Sequence, residues 1–118
     1  MSETTSETTP KIVWFELPAD DTGRAQGFYG DLFGWTFQPL EGPMEYHMTY
    51  EGGGAIYPGN GGRGVLVYFG VPDIDASLAR VSELGGQIGE VQEMPGVGRY
   101  AVCADSEGNP FGLYQGAS

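Results

Sequence analysis

The chain has 118 residues, with 16 acidic and five basic side chains, a formal net charge of −11, and basic residues scattered along its length. This length is enough for one domain with its own hydrophobic core. So acidic a surface is a poor partner for nucleic acid or for an anionic membrane, and we exclude both.

The beginning of the chain carries no targeting or membrane signal. Residues 1–10 are polar and repetitive, so we expect a disordered tail. No apolar run reaches the roughly 20 residues of a membrane-spanning helix. The single cysteine, Cys103, lies in a strand-like run where a buried, inert thiol is expected. We therefore expect a soluble cytoplasmic protein.

The first half opens with an alternating run. Val13, Phe15 and Leu17 alternate with Trp14 and Glu16, which predicts a strand over residues 12–17.

An amphipathic helix is predicted next. Asp20, Asp21 and Thr22 supply N-cap oxygens, and Gly34 suits the left-handed position after a helix. The apolar stripe that we expect this helix to bury consists of Ala25, Phe28, Tyr29, Leu32 and Phe33. Three strands are predicted to follow, over residues 35–40, 45–51 and 53–57.

The second half repeats this order after a glycine-rich linker at residues 58–64. Residues 65–71 alternate as a strand, and Asp73 caps a second helix that ends at Gly85. The apolar residues of that helix are Ile74, Leu78, Val81 and Leu84. The remaining strands are predicted over residues 87–93, 99–104 and 111–115, with a turn at residues 105–110.

The repeat predicts the architecture. Two βαβββ units, at about residues 11–57 and 64–115, cannot each close a core alone, because each helix covers only one face of its small sheet. Paired, they predict a single α+β domain after the tail, with a curved, mixed eight-stranded sheet and both helices outside. Pairing within one chain and pairing across a dimer are both open at this stage. Exposed edges and aromatic residues favour a homodimer.

The concave face of such a sheet is the expected ligand site. If the helices cover the faces of Phe15 and Phe69, strand alternation assigns the opposite faces to the cup. The residues expected to bind a ligand there are Trp14, Glu16, His47, Thr49, Leu66, Tyr68, Gly112 and Tyr114. Aromatic rings in this set suit a planar or cationic small molecule.

His47, the only histidine, is the candidate for chemistry. If its side of the strand faces the cup, His47 and Glu16 form an imidazole–carboxylate pair that acts as a base or as half of a metal site. A shift of one residue instead turns His47 to a rim or to solvent. Both arrangements are open at this stage.

Three segments of the chain resemble the vicinal oxygen chelate superfamily, which includes glyoxalase I, extradiol dioxygenases and the bleomycin- and fosfomycin-resistance proteins. The segments are FELPADDTGRAQGFYGDLFGW at residues 15–35, VPDIDASLARVSELGG at residues 71–86 and DSEGNPFGLYQ at residues 105–115. The sequence of these segments is most similar to that of small glyoxalase-like proteins of actinobacterial type.

The resemblance also implies where metal ligands would lie. The positions fall at Trp14, near His47, at Leu66 and at Gly112, and only histidine among these is a usual metal ligand. The resemblance therefore implies a small-molecule ligand without the superfamily's metal and with no other cofactor. The alternative is a glyoxalase-type lyase or isomerase, or a dioxygenase-type enzyme, that uses His47 and Glu16 as base or partial metal ligands. The sequence leaves the ligand's identity open.

Overall fold

The computed structural model describes residues 9–59 and 64–117. Its elements are β1 (Ile12–Ala19), α1 (Thr22–Phe33), β2 (Gln38–Pro39), β3 (His47–Thr49), β4 (Gly54–Pro58), β5 (Leu66–Gly70), α2 (Ile74–Glu83), β6 (Gln92–Met94), β7 (Gly98–Ala104) and β8 (Pro110–Gly116). Two successive βαβββ runs in a mixed eight-stranded sheet confirm the predicted fold class. Residues 1–8 of the predicted tail and residues 60–63 of the predicted linker lie outside the described residues.

The chain divides into two compact units. The first unit is Trp14–Leu66, and the second comprises the residues up to Val13 together with those from Val67 onward. Within the first unit the strands follow the order β2-β3-β4-β1, and β1 and β4 are parallel. Within the second the order is β5-β8-β7-β6, and β5 and β8 are parallel. Each parallel pair is joined by a long crossover connection, which contains one helix and two further strands.

Both helices begin where the sequence predicts. The Asp21 carboxylate accepts the N–H of Arg24 at 3.0 Å, and the Asp73 carboxylate accepts the N–H of Ala76 at 3.2 Å. Gly34 has a φ of 76° and donates its N–H to the Gly30 carbonyl at 2.8 Å, which closes α1. No helix of the described residues is long and apolar enough to cross a membrane.

The expected burial of the α1 stripe is wrong. Phe28, Leu32 and Phe33 expose 60%, 58% and 57% of their surface, and no residue of α1 is fully buried. Ring packing lies on the side of the helix that carries Tyr29 and Phe33, whose rings are 5.6 Å and 5.1 Å from that of Trp35. One side of the stripe therefore remains at the surface.

The position of Trp35 explains why one side of the α1 stripe remains exposed. Its ring lies 6.0 Å from the ring of Phe15 and crosses Gly52, where a Cβ atom would approach the indole to 2.6 Å. The indole thus lies between the helix end and the sheet and takes the space that the stripe would fill. For the same reason the strand predicted from residue 35 is reduced to Gln38–Pro39.

The second unit has the clearer hydrophobic core. Its fully or nearly fully buried members are Val71, Ile74, Leu78, Ala101, Cys103 and Leu113. Cys103 is 4% exposed, in agreement with the prediction of a buried thiol. The Gln115 side-chain carbonyl accepts the N–H of Ile74 at 2.9 Å and so attaches the start of α2 to β8.

The strand predicted over residues 87–93 is mostly absent as a strand. Gln87 forms a single antiparallel bridge to Ala104, and regular pairing resumes only at Gln92. Gly89 passes close to the backbone of Val102, where a side chain would not fit. The segment therefore passes close to β7 without forming a regular strand pair with it.

The turn before β8 is organised by one carboxylate. Asp105 accepts the N–H groups of Asn109 and Glu107, each at 2.9 Å, and Gly108 has a φ of 88°. The N–H of Asn109 and then the other donors hold the pKa of Asp105 below its usual value, because they stabilise the ionised form. The Asp-Ser-Glu-Gly-Asn segment is thus a local structural motif.

Candidate functional site

A chain of three hydrogen-bonded side chains lies on the first unit. The indole N–H of Trp14 donates to the hydroxyl of Tyr46 at 2.8 Å, and this hydroxyl donates to Oε2 of Glu16 at 2.7 Å. All three side chains are half-buried. The Tyr46 hydroxyl therefore fixes both the orientation of the indole and the position of the carboxylate.

Strand register shows which face of the sheet carries this chain. Glu16 lies opposite Ala55, and Ala55 lies opposite Met48, so the side chains of these three residues share one face. Tyr46 lies two residues before Met48 and is on the same face. Phe15, one residue away from Glu16, points instead to the helix side.

Tyr50 extends the same face. Its ring centroid lies 6.2 Å from that of Trp14, and its side chain is 62% exposed. The face thus combines one carboxylate with three aromatic rings and the Met48 thioether. Such a surface suits an apolar or aromatic group that carries a cation or a hydrogen-bond donor.

The structure separates His47 from Glu16. His47 lies opposite Ile56, which in turn lies opposite Leu17, so it is on the helix side of the sheet. Its Nε2 is 2.9 Å from Oε2 of Glu45. The expected His47–Glu16 pair is therefore corrected to a His47–Glu45 pair, since the register differs by one residue from the arrangement that would bring them together.

Glu45 has a second partner on the helix. Thr22 donates its hydroxyl to Oε2 of Glu45 at 2.6 Å. The hydrogen bond from His47 and then the one from Thr22 lower the pKa of Glu45. His47 and Glu45 consequently attach the β3 segment to the start of α1.

Thr49 is also on the helix side, and it is fully buried. Its hydroxyl donates to Oε1 of Glu51 at 3.2 Å and accepts the N–H of Gly52 at 3.3 Å. Thr36 donates to the other oxygen of Glu51 at 2.7 Å, and this bond is the main cause that lowers the pKa of Glu51. Thr49 therefore holds the β3–β4 turn and does not share the face of Trp14.

In the second unit, Tyr68, Gly112 and Tyr114 share the face opposite the core cluster. Tyr68 pairs with Gly112 in the parallel ladder, and Tyr100 pairs with Tyr114. The ring of Tyr68 lies directly over Gly112, and any Cβ atom at position 112 would collide with it. Gly112, which was expected to line the ligand site, is thus covered by an aromatic ring.

The neighbouring tyrosines are also engaged. Tyr68 is 5% exposed and packs edge-on against Tyr100 at 6.0 Å. The Tyr114 hydroxyl donates to the Val97 carbonyl at 2.7 Å. The second unit therefore presents packed rings where the sequence predicted lining residues.

The donor set does not fit the superfamily's divalent metal. The Trp14 indole can only donate a hydrogen bond, Leu66 is 1% exposed and has no ligand atom, and Gly112 has no side chain. His47 is bound to Glu45 on the helix side. In the part of the chain that the structure describes, no group of three or more His, Cys, Asp and Glu residues is placed to hold a metal ion.

Sequence reasoning missed Tyr46. The alternation in residues 45–51 correctly separated Tyr46, Met48 and Tyr50 from His47. The face that carries His47 was, however, the one assigned to the ligand site. The better signal was chemical similarity to the first strand, because Trp14 and Tyr46 are amphipathic aromatics that pair well when half-buried.

Comparison with known proteins identifies the family. Residues 11–49 match the family described as bleomycin resistance protein-like N-terminal. A glyoxylase-like domain-containing protein of Didymella fabae is 34% identical over 117 residues, which cover 87% of this chain and 91% of the relative. The chain belongs to the vicinal oxygen chelate superfamily.

Other superfamily members are similar over different extents. The putative glyoxylase CFP32 of Mycobacterium bovis is 34% identical over 118 residues, 92% of this chain but 45% of that relative. The chain thus spans about half the length of this curated relative. A Streptomyces coelicolor methylmalonyl-CoA epimerase superposes with a TM-score of 0.72 at 18% identity, covering 92% of this chain and 98% of that chain. That likeness shows the glyoxalase/bleomycin-resistance-like fold.

Proposed function

We propose that this vicinal oxygen chelate protein binds a small organic molecule on the face formed by Trp14, Tyr46 and Glu16. The observation that supports the proposal is the hydrogen-bonded chain through the Tyr46 hydroxyl. It presents a half-buried carboxylate beside two oriented aromatic rings, and helix α1 does not cover this side of the sheet. Family membership supports a small-molecule ligand, because the matching family is described by resistance to bleomycin, which is a small organic molecule.

The chemistry of the face defines the ligand class. A carboxylate accepts hydrogen bonds and attracts cations, whereas indole and phenol rings favour flat apolar groups and the faces of cations. The net charge of −11 adds long-range attraction for a cation. The proposed ligand is therefore an aromatic or apolar compound that carries an amine or a comparable donor.

Binding in this proposal does not depend on a divalent ion. Protein purified without chelators and offered Ni²⁺, Zn²⁺, Mn²⁺ and Fe²⁺ is expected to retain no near-stoichiometric metal after excess is removed, as measured by elemental analysis. Near-stoichiometric metal that is lost in His47→Ala would contradict this part of the proposal.

The two tryptophans offer a direct binding assay. In a ¹⁵N-labelled sample Trp14 and Trp35 give two indole N–H resonances, which Trp14→Phe and Trp35→Phe assign. A titration compares benzylammonium, benzyltrimethylammonium, benzyl alcohol and phenylacetate, which share a ring and differ in charge and donor. The Trp14 resonance is expected to shift saturably, most with benzylammonium and least with phenylacetate.

Matched variants localise the response. Glu16→Gln should weaken benzylammonium binding by about tenfold, because it removes a charge-assisted hydrogen bond. Glu45→Gln is the control, since it changes the same side chain on the helix side of the sheet. Equal losses in both variants, or a shift confined to the Trp35 resonance, would place the ligand elsewhere and refute the proposal.

Proton transfer is a second candidate function. The observation that favours it is that Tyr46 holds the Glu16 carboxylate in place, as a general base requires. Glu16 would take a proton from a carbon next to a carbonyl, the electron pair would enter the carbonyl as an enolate, and return of the proton would complete an isomerisation. Enzyme-dependent deuterium uptake from D₂O by 2-methylacetoacetate esters, lost in Glu16→Gln, would support this candidate. Uptake at the buffer rate would exclude these substrates.

A further inference from the structure

Helix α1 presents an exposed side that the described residues do not cover. This side, called the α1 face below, consists of Arg24, Ala25, Phe28, Asp31 and Leu32. Phe28 and Leu32 are 60% and 58% exposed. With helical spacing of 3.6 residues per turn, all five residues fall on one side of the helix. Large adjacent apolar side chains at a surface are typical of interaction sites.

The α1 face has a protrusion at one end and a depression at the other. Leu32 projects near the C-terminal end. Near the N-terminal end is a depression of about 340 Å³, lined by Ala19, Asp20, Asp21, Arg24, Ala25, Phe28 and Tyr29. A second α1 helix in the opposite direction would place its Leu32 over this depression. The shape is therefore complementary to itself under a two-fold rotation.

The two charged residues of this face are unfavourably placed for the helix itself. Arg24 lies in the first turn, which carries no acidic residue, and Asp31 lies in the last turn, which carries no basic residue. The macrodipole of a helix favours the opposite distribution. They are seven positions apart, about 10 Å along the axis, which is too far for them to pair with each other. Neither is in an ion pair with any residue that the structure describes.

We propose that the α1 face binds the α1 face of a second copy of this chain, with the two helices antiparallel. A two-fold axis near Phe28 brings Arg24 of each copy to Asp31 of the other, and Ala25 to Leu32. Both unfavourably placed charges then gain an opposite charge, and the exposed Phe28 rings become buried at the centre. This proposal is independent of the small-molecule site.

The size of the face predicts a weak dimer. The two exposed apolar side chains of the α1 face, Phe28 and Leu32, supply on the order of 200 Å² per copy, below the roughly 800 Å² of a standard interface. We therefore expect a dissociation constant on the order of 100 μM. Sedimentation velocity and equilibrium on the full chain from about 5 to 500 μM cover this range.

Charge exchange tests the proposed register. In a two-fold dimer the contact between positions 24 and 31 occurs twice. Arg24→Asp alone or Asp31→Arg alone therefore creates two repulsive contacts between like charges and should weaken dimerisation at least about tenfold. The double variant restores opposite charges and should return to within about threefold of the wild type. Each substitution improves the match to the helix dipole, so weakened dimerisation cannot be ascribed to a less stable helix.

Apolar substitutions test the surface itself. Phe28→Ser should abolish the dimer, whereas Leu84→Ser, at a side chain that is 64% exposed in the second unit, should leave it unchanged. A monomer at every concentration overturns the proposal. A dimer that survives Phe28→Ser, or single charge reversals that the double variant does not rescue, also overturns it.

Discussion

Removal of one hydroxyl group tests the hydrogen-bonded chain at the candidate site. Tyr46→Phe keeps the ring but removes the acceptor of the Trp14 indole and the donor to Glu16. A bond to a charged group contributes about 1.5–3 kcal/mol and a neutral one about 0.5–1.5 kcal/mol. Because both partners are only half-buried, water replaces part of each bond. We expect the free energy of unfolding to fall by about 1–3 kcal/mol.

Urea denaturation followed by circular dichroism measures this change, and the Trp14 indole resonance reports the bond directly. Tyr50→Phe is the matched control, because the exposed Tyr50 hydroxyl donates a hydrogen bond to no described residue except Met48, whose sulfur lies 3.7 Å away. That variant should lose less than about 0.5 kcal/mol. Equal stability changes in the two variants, with the Trp14 resonance unmoved in Tyr46→Phe, would refute the reasoning.

Further predictions concern glycines and an acidic turn. Gly112→Ala should cost about 1–3 kcal/mol in urea denaturation, since its Cβ would collide with the Tyr68 ring. Gly27→Ala, on α1 with no atom within 4 Å of the added Cβ, should instead stabilise by about 0.5–1 kcal/mol at low protein concentration; destabilisation there would count against the open surface. Asp105 has a folded pKa below the unfolded value of 3.8, so the stability that it contributes is complete above pH 3.8 and is lost as pH falls through the lower folded pKa. The difference between wild type and Asp105→Asn should therefore shrink below that pH in urea titrations, and a constant difference would contradict the assignment.

Most of the fold follows from local signals in the sequence. Asp21 and Asp73 begin the helices, and the glycines after each helix take left-handed conformations, because these effects depend on a few neighbouring residues. Strand alternation likewise separated Phe15 from Glu16. The internal repeat then predicted the order of the elements.

The candidate site was less predictable, because it depends on contacts between distant residues. Alternation identified the two faces of residues 45–51 but could not choose between them, since a shift of one residue exchanges them. The pairing of Met48 with Ala55 decides in favour of Tyr46 and against His47. The exposed side of α1 was missed for a similar reason, because the packing of Trp35 under the helix is a tertiary event.

The ring of Tyr68 over Gly112 restricts the order in which this chain could acquire a metal ligand. A carboxylate at position 112 has no room while the tyrosine is present, so Gly112→Glu alone should be destabilised without gaining a function. A smaller side chain at position 68 must come first, and that step alone leaves a cavity beside a buried glycine. Each single change lowers the stability of the protein. A mutational path to metal binding at position 112 therefore passes through a less stable intermediate, and a metal could be selected for only once both changes are present.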